Sequence, residues 1–118
     1  MRKLLFSILA LGFLGIYIPG ANASTILASW YDCVKPGECS WHKITASGEK
    51  FNPNALTAAH KTLPFGTKLL VTYKGKSVTV RINDRGPFIR GRSLDLSRAA
   101  ARKIGCGGVC RVTIKIIK

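Results

Sequence analysis

From Ser77 to Asn83 the chain alternates with a strict period of two: Val78, Val80 and Ile82 fall on one side and Thr79, Arg81 and Asn83 on the other. Only an extended strand with one buried face turns that pattern into packing. Lys68 to Tyr73 precedes it across Lys74-Gly75-Lys76, which reads as a hairpin. Near the end Val112, Ile114 and Ile116 are expected to point inward, with Arg111, Thr113 and Lys115 outward. Thr25 to Tyr31 and the strand-like Leu56 to His60 add further extended segments. One helix is signalled: Ser97 caps it, Arg98 to Ile104 are good helix formers, and Gly105 stands where a left-handed terminator belongs. Six or so short strands with one short helix make the chain mainly β. A closed barrel is expected, because an open sheet of this size would leave edges to cover.

The first 23 residues read as an export signal rather than as part of that domain. Arg2 and Lys3 lead, an apolar run from Leu4 to Ile18 follows, Pro19-Gly20 breaks it, and Ala21-Asn22-Ala23 offers a small-residue cleavage site. The run is short for a bilayer span, so no stable membrane insertion is expected after cleavage. No Cys follows the cleavage site to carry a lipid. Of 118 residues, 24 to 118 then form one domain, and loss of Arg2 and Lys3 takes the formal charge from +14 to +12. The expected product is exported, soluble, monomeric, and periplasmic or secreted.

Cys33, Cys39, Cys106 and Cys110 all lie in the mature part, an even count that favours two disulfides in an exported chain. Their spacing leaves three connectivities open. The C-x2-C knuckle of a zinc site is missing, and His42 and His60 are not spaced as its partners, so no metal is expected.

Chemistry must come from a short list. Asp32, Glu38, Glu49, Asp84 and Asp95 are the five carboxylates, and Asp32 and Glu38 read as solvated partners of the many cations. Glu49 ends the small-residue loop Thr45-Ala46-Ser47-Gly48-Glu49, where a ligand could approach the backbone. His60 could orient or protonate a neighbour near neutral pH. Asp84 directly follows the alternating strand, in Asn83-Asp84-Arg85-Gly86-Pro87-Phe88, where a rigid base presents functional groups. Asp95 lies between Leu94 and Leu96; with those two in the core it faces the other way. Carboxylates converging on a groove are what glycosidic cleavage requires. There is no G-x-S-x-G elbow, H-E-x-x-H, P-loop or dinucleotide fingerprint. Cations are dispersed rather than clustered, and export argues against a nucleic-acid partner; anionic wall or outer-surface polymers suit the charge better.

Taken together, Ala28-Ser29-Trp30-Tyr31, Thr45 through Glu49, Phe51 through Thr67, Val80 through Phe88 and Gly91 through Ala101 resemble the rare lipoprotein A family, in order and over nearly all of the mature chain. That family is similar to the double-psi β-barrel domains of expansins and barwin-like proteins. The resemblance implies a six-stranded double-psi β-barrel with a surface groove. It also implies an endolytic lytic transglycosylase that cuts the MurNAc-GlcNAc strands of peptidoglycan, preferring strands stripped of stem peptides, with no cofactor. Mapped by motif, the functional positions are Asp84 as acid and base, Glu49 stabilising charge or sharing the proton work, and His60 orienting. Asp95 is the rival acid, because the functional Asp of expansin-like barrels resembles the one in Asp95-Leu96-Ser97. Tyr31, Trp30 and Arg85 are the expected glycan contacts. The Cys33 to Cys39 insertion, the Cys106 to Cys110 loop, the missing lipid anchor and the missing C-terminal peptidoglycan-binding repeat depart from the family pattern. The alternative is an expansin-like wall-binding and loosening module that uses Trp30, Tyr31 and Trp41 for stacking and does not cut; a barwin-like defensive or interaction protein is a third reading.

Overall fold

The computed structural model describes residues 23–31 and 44–118. The expected signal sequence up to Asn22, and Asp32, Cys33, Glu38, Cys39, Trp41 and His42, lie outside the described residues. The elements are β1 (Ala23–Tyr31), β2 (Thr57–His60), β3 (Lys68–Tyr73), β4 (Lys76–Asp84), β5 (Leu94–Ser97), α1 (Arg98–Ile104) and β6 (Cys110–Ile116). The six strands close into a barrel in the order β1-β5-β2-β4-β3-β6. Closure removes the edges that a small open sheet would expose. The first strand begins at Ala23, one residue before the expected mature N-terminus, with Ala23 opposite Lys115.

The period-two pattern becomes the core. Val78, Val80 and Ile82 of β4 meet Leu69 and Val71 of β3, Leu94 and Leu96 of β5, and Val112 and Ile114 of β6. Ala28 of β1 and Ala58 of β2 complete the lining with small side chains. Ile116 departs from the expected inward alternation. Exposure rises from 1% at Val112 to 9% at Ile114 and 49% at Ile116, because β6 ends at Ile116, at the rim of the barrel, where no further layer covers the side chain. Between β3 and β4 the turn is tighter than Lys74-Gly75-Lys76: Tyr73 pairs with Lys76, leaving a two-residue loop. Lys74 and Gly75 both have positive φ (47° and 81°), the backbone that matches the twist of a hairpin.

The helix is short but well specified at both ends. Ser97 Oγ accepts from Ala100 N at 3.2 Å, and Gly105, at φ 77°, donates its N–H to the Ala101 and Arg102 carbonyls. Ala100, Ala101 and Ile104 pack into the barrel core. The Cys106–Cys110 disulfide joins the end of the helix to the start of β6 and so selects one pairing for these two cysteines. Ser97 also acts across the barrel, where its hydroxyl donates to Ala55 O at 2.6 Å and ties the segment before β2 to the helix start. Ser97→Ala therefore removes a cap and a buried tie together. Its expected cost is about 1–3 kcal/mol, read as a lowered urea midpoint with unchanged slope; an unchanged midpoint would contradict this account of the helix start.

Candidate active site

One row of residues crosses four neighbouring strands on the outside of the barrel. Ser29 of β1 pairs with Asp95 of β5, Asp95 pairs with Ala59 of β2, and Ala59 pairs with Asp84 of β4. Strict alternation would not bring Asp84 into this row, because Val78, Val80 and Ile82 point inward and Asp84 shares their parity. The register shifts between Ala58 and Ala59: Ala58 sits opposite Ile82, and Ala59 opposite Asp84, so β4 carries one extra residue, Asn83. Such a bulge re-aims the side chain that follows it. Here it turns Asp84 outward, onto the side that holds Asp95. The two aspartates are two strands apart, about 10 Å between Cα atoms at ordinary strand spacing, with only the methyl group of Ala59 between them in the row.

Asp84 is held by the backbone. Its Oδ1 accepts from Ala46 N and from Arg85 N, each at 2.9 Å. Both bonds fall on one oxygen and orient the carboxyl group; among the described residues no hydrogen bond reaches Oδ2, and the residue is 9% exposed. Asp95 Oδ1 accepts from Ser29 Oγ at 3.0 Å. Tyr31 follows Ser29 on the same face of β1 and stacks on Phe51 with 4.7 Å between ring centroids. Burial, then the negative charges of Asp84 and Asp95, push the Tyr31 phenol far above its ordinary range. The phenol therefore stays neutral and lies within electrostatic reach of both aspartates.

Ala46 belongs to the loop that ends at Glu49. Thr45 N donates to Glu49 O at 2.8 Å, Gly48 N donates to Thr45 O at 2.9 Å, and Ser47 N donates to Asn83 O at 3.2 Å, so the loop is closed on itself and docked on the bulge. Gly48 has φ 93°, which a residue with a side chain would adopt only under strain. Glu49 is gripped by Arg81 of β4 through two bonds of 2.6 and 2.9 Å. Hydrogen bonds from Arg81, opposed by partial burial and assisted by the Arg81 charge and by Ser47 and Asn83, lower the Glu49 carboxyl to about 2. Glu49 is a fixed anion near neutral pH, and its near partner Arg81 could be found in the sequence only as an outward position of β4.

His60 is close in the chain to this site but turns toward its own loop. Its Nδ1 accepts from Thr62 N and Leu63 N, each at 3.1 Å, which places the ring proton on Nε2 in the neutral form. Burial, then the charges of Arg85 and Lys61, lower its pKa, so neutral imidazole dominates near pH 7. Arg85 binds the same loop: Nη1 donates to Leu63 O at 2.9 Å and His60 O at 3.2 Å, and the guanidinium lies 4.0 Å above the Phe65 ring. Trp30 is not brought to the aspartates. It occupies the opposite face of β1 from Tyr31, packs against the core, and lines a separate cavity of about 240 Å³ with Arg98, Ala101, Arg102, Cys106 and Gly107. The structure thus joins Asp84, Asp95 and Tyr31, links Glu49 to them through its loop, ties His60 in through its main chain, and sets Trp30 apart. Among the described residues no group of three or more His, Cys, Asp or Glu side chains is arranged to hold a metal ion.

The family described as "Lytic transglycolase" matches residues 23–115, the barrel to within one residue of the end of β6. The chain belongs to that family, with rare lipoprotein A proteins among its members. A "Probable endolytic peptidoglycan transglycosylase RlpA" from Synechocystis sp. is 56% identical over 97 residues, covering 78% of this chain and 28% of that protein. An "Endolytic peptidoglycan transglycosylase RlpA" from Campylobacter jejuni is 49% identical over 96 residues, covering 77% of this chain and 33% of that one. The chain thus spans about a third or less of these curated relatives. Among solved structures it is similar to Streptomyces papain inhibitor, with TM-score 0.64 at 22% identity over 86% of this chain and 100% of the other. It is also similar to a Clavibacter michiganensis expansin, with TM-score 0.63 at 19% identity over 81% of this chain and 50% of the other. These likenesses establish the six-stranded double-psi barrel expected from the sequence.

The Glu49–Arg81 pair carries a pH signature. Its folded-state carboxyl titrates near 2 instead of 4.5, so the stabilisation it gives is complete above about pH 5 and is lost as pH falls toward about 2. Both side chains are about two-fifths exposed, so solvent screening limits the contribution to at most about 1 kcal/mol. Glu49→Gln is expected to lower stability slightly near neutral pH and not at about pH 2, as measured by urea denaturation across that range. An equal deficit at both ends would contradict the assignment.

Proposed function

We propose that this domain is an endolytic peptidoglycan lytic transglycosylase with Asp84 as its acid and base. The observation that carries the reading is the outward turn of Asp84 at the bulge, with two backbone N–H groups on Oδ1 and Oδ2 left over, in a chain that belongs to the lytic transglycolase family. Protonated at Oδ2, Asp84 gives its proton to the glycosidic oxygen between N-acetylmuramic acid and N-acetylglucosamine, and that bond breaks. The anomeric carbon becomes cation-like, the C6 hydroxyl of the same muramyl ring attacks it, and Asp84 takes back the hydroxyl proton. The products are a new N-acetylglucosamine hydroxyl end and a 1,6-anhydromuramyl end; no water is consumed.

The remaining groups divide the work by protonation state. Glu49, ionised throughout the working range, serves as fixed negative charge and as the anchor of the loop that supplies the Ala46 N–H; proton exchange falls to Asp84 instead. Neutral Tyr31 borders the two aspartates and offers a glycan contact. Asp95 steadies positive charge at the ring carbon and is the rival acid. His60 orders the loop that Arg85 grips, and Arg85 faces the substrate from there. The substrate is the glycan strand, with peptide-free strands preferred. The chain acts as a cofactor-free monomer, exported to the periplasm or beyond by the segment ending at Ala23. Among the described residues no helix is long and apolar enough to cross a membrane.

The expansin likeness favours a second reading, a module that grips wall polysaccharide without cutting it; a mutant form of the Clavibacter michiganensis expansin, with TM-score 0.63 to this chain, is solved in complex with cellohexaose. Mass spectrometry of purified peptide-free glycan strands separates the two. The lytic reading predicts new anhydromuramyl ends, reduced by at least about 100-fold in Asp84→Asn. Co-sedimentation with walls and no new ends would leave the binding module, and equal rates for native and Asp84→Asn would remove Asp84 from the chemistry.

A further inference from the structure

The loop after Asp84 and the segment between β2 and β3 that Arg85 grips place large apolar groups where packing gives no reason for them. Phe88 is 86% exposed and Phe65 42% exposed, in a chain whose formal charge is +14. An exposed aromatic ring beside a polar site offers an apolar face on which a ligand can pack. The Phe88 ring is nevertheless positioned. It leans on Gly86, where a methyl group would lie 3.3 Å from Cε2 and 3.5 Å from Cδ2 of the ring. Glycine at that position thus makes room for the ring, which leaves its remaining surface to solvent. The guanidinium carbon of Arg85, the residue between Asp84 and Gly86, lies over the Phe65 ring, 4.0 Å from its centroid. Its hydrogen bonds to main-chain carbonyls all run through Nη1, so the Nη2 edge of the guanidinium is left for a ligand.

An exposed ring and a planar cation in the loop that starts at Asp84, with a second ring under that cation from the segment between β2 and β3, match the chemistry of an N-acetylated pyranose. The C–H face of the sugar packs on an aromatic ring, and its acetamido carbonyl accepts from a guanidinium N–H. We propose that Phe88, with Phe65 and Arg85, forms a subsite that seats one N-acetylated sugar of the strand beside the bond cut at Asp84. The inference rests on the glycan-cleaving reading above and extends it to residues that the acid chemistry does not use.

The test measures binding separately from cleavage. Asp84→Asn keeps an Oδ1 acceptor for both backbone N–H groups and stops turnover, so the affinity of peptide-free glycan strands can be titrated calorimetrically in that background. Adding Phe88→Ala is expected to weaken binding roughly five- to tenfold. Phe88→Trp, which offers a larger ring, is expected to bind within about twofold of the parent, with unfolding midpoints of all variants matched as a control. In the active protein Phe88→Ala should raise KM more than it lowers kcat. Affinity unchanged in Phe88→Ala, or lost equally in Phe88→Ala and Phe88→Trp, would overturn the subsite, as would strands that do not bind the parent at all. Ring-dependent binding without anhydromuramyl ends from the native protein would leave the subsite standing and overturn the catalytic reading; anhydromuramyl ends with ring-independent binding would do the reverse.

Discussion

The candidate site depends on a one-residue slip between two parallel strands. With Ala58 opposite Ile82 and Ala59 opposite Asp84, Asn83 is the extra residue, and everything C-terminal to it changes face. Asp84 leaves the parity of Val78, Val80 and Ile82 and joins Asp95 on the outside of the barrel. The bulge is not left to itself: the Ser47 N–H donates to the Asn83 carbonyl and the Ala46 N–H to Asp84 Oδ1, so the loop before Glu49 is fastened across it. A carboxyl group fixed by backbone donors on a closed barrel is preorganised, as the proposed proton transfer at Asp84 requires.

The charged groups around this point have distinct states because their surroundings differ. Glu49 faces a guanidinium fork and stays anionic. His60 is half-buried among cations and stays neutral, accepting two backbone N–H bonds. Tyr31 is half-buried beside two carboxylates and holds its proton. In a chain with 19 Lys and Arg, these three groups each keep one charge state near neutral pH.

What could be read from the sequence was local. Period-two alternation located β4 and β6, the hairpin added β3, and Ser97 and Gly105 bounded the helix, because alternation, turns and capping act over a few residues. Barrel closure followed from the number of short strands. The face occupied by Asp84 was not legible, since a bulge is decided by the partner strand and by the loop docked on it. Nor was the Glu49–Arg81 grip, whose members are 32 positions apart, or the exposure of Ile116, which depends on where the barrel rim falls. The motif resemblance named Asp84, Glu49 and His60 together, but only the fold separates an anchored anion and a loop-ordering imidazole from the carboxyl group with an oxygen to offer. Phe88 carried no sequence signal beyond its place after Gly86-Pro87; its exposure is a property of the folded loop.

The slip at Asn83 turns Asp84 to the side that holds Asp95, with both carboxylates within electrostatic reach of Tyr31, so Tyr31 reports on the arrangement directly. NMR titration of the Tyr31 ring in the native protein, in Asp84→Asn and in Asp95→Asn measures that arrangement. The account predicts a phenol that ionises well above its ordinary range and a clear fall in its pKa in each variant, since each removes a negative charge that opposes ionisation. A Tyr31 titration that is the same in all three proteins would place the aspartates away from it and contradict the account.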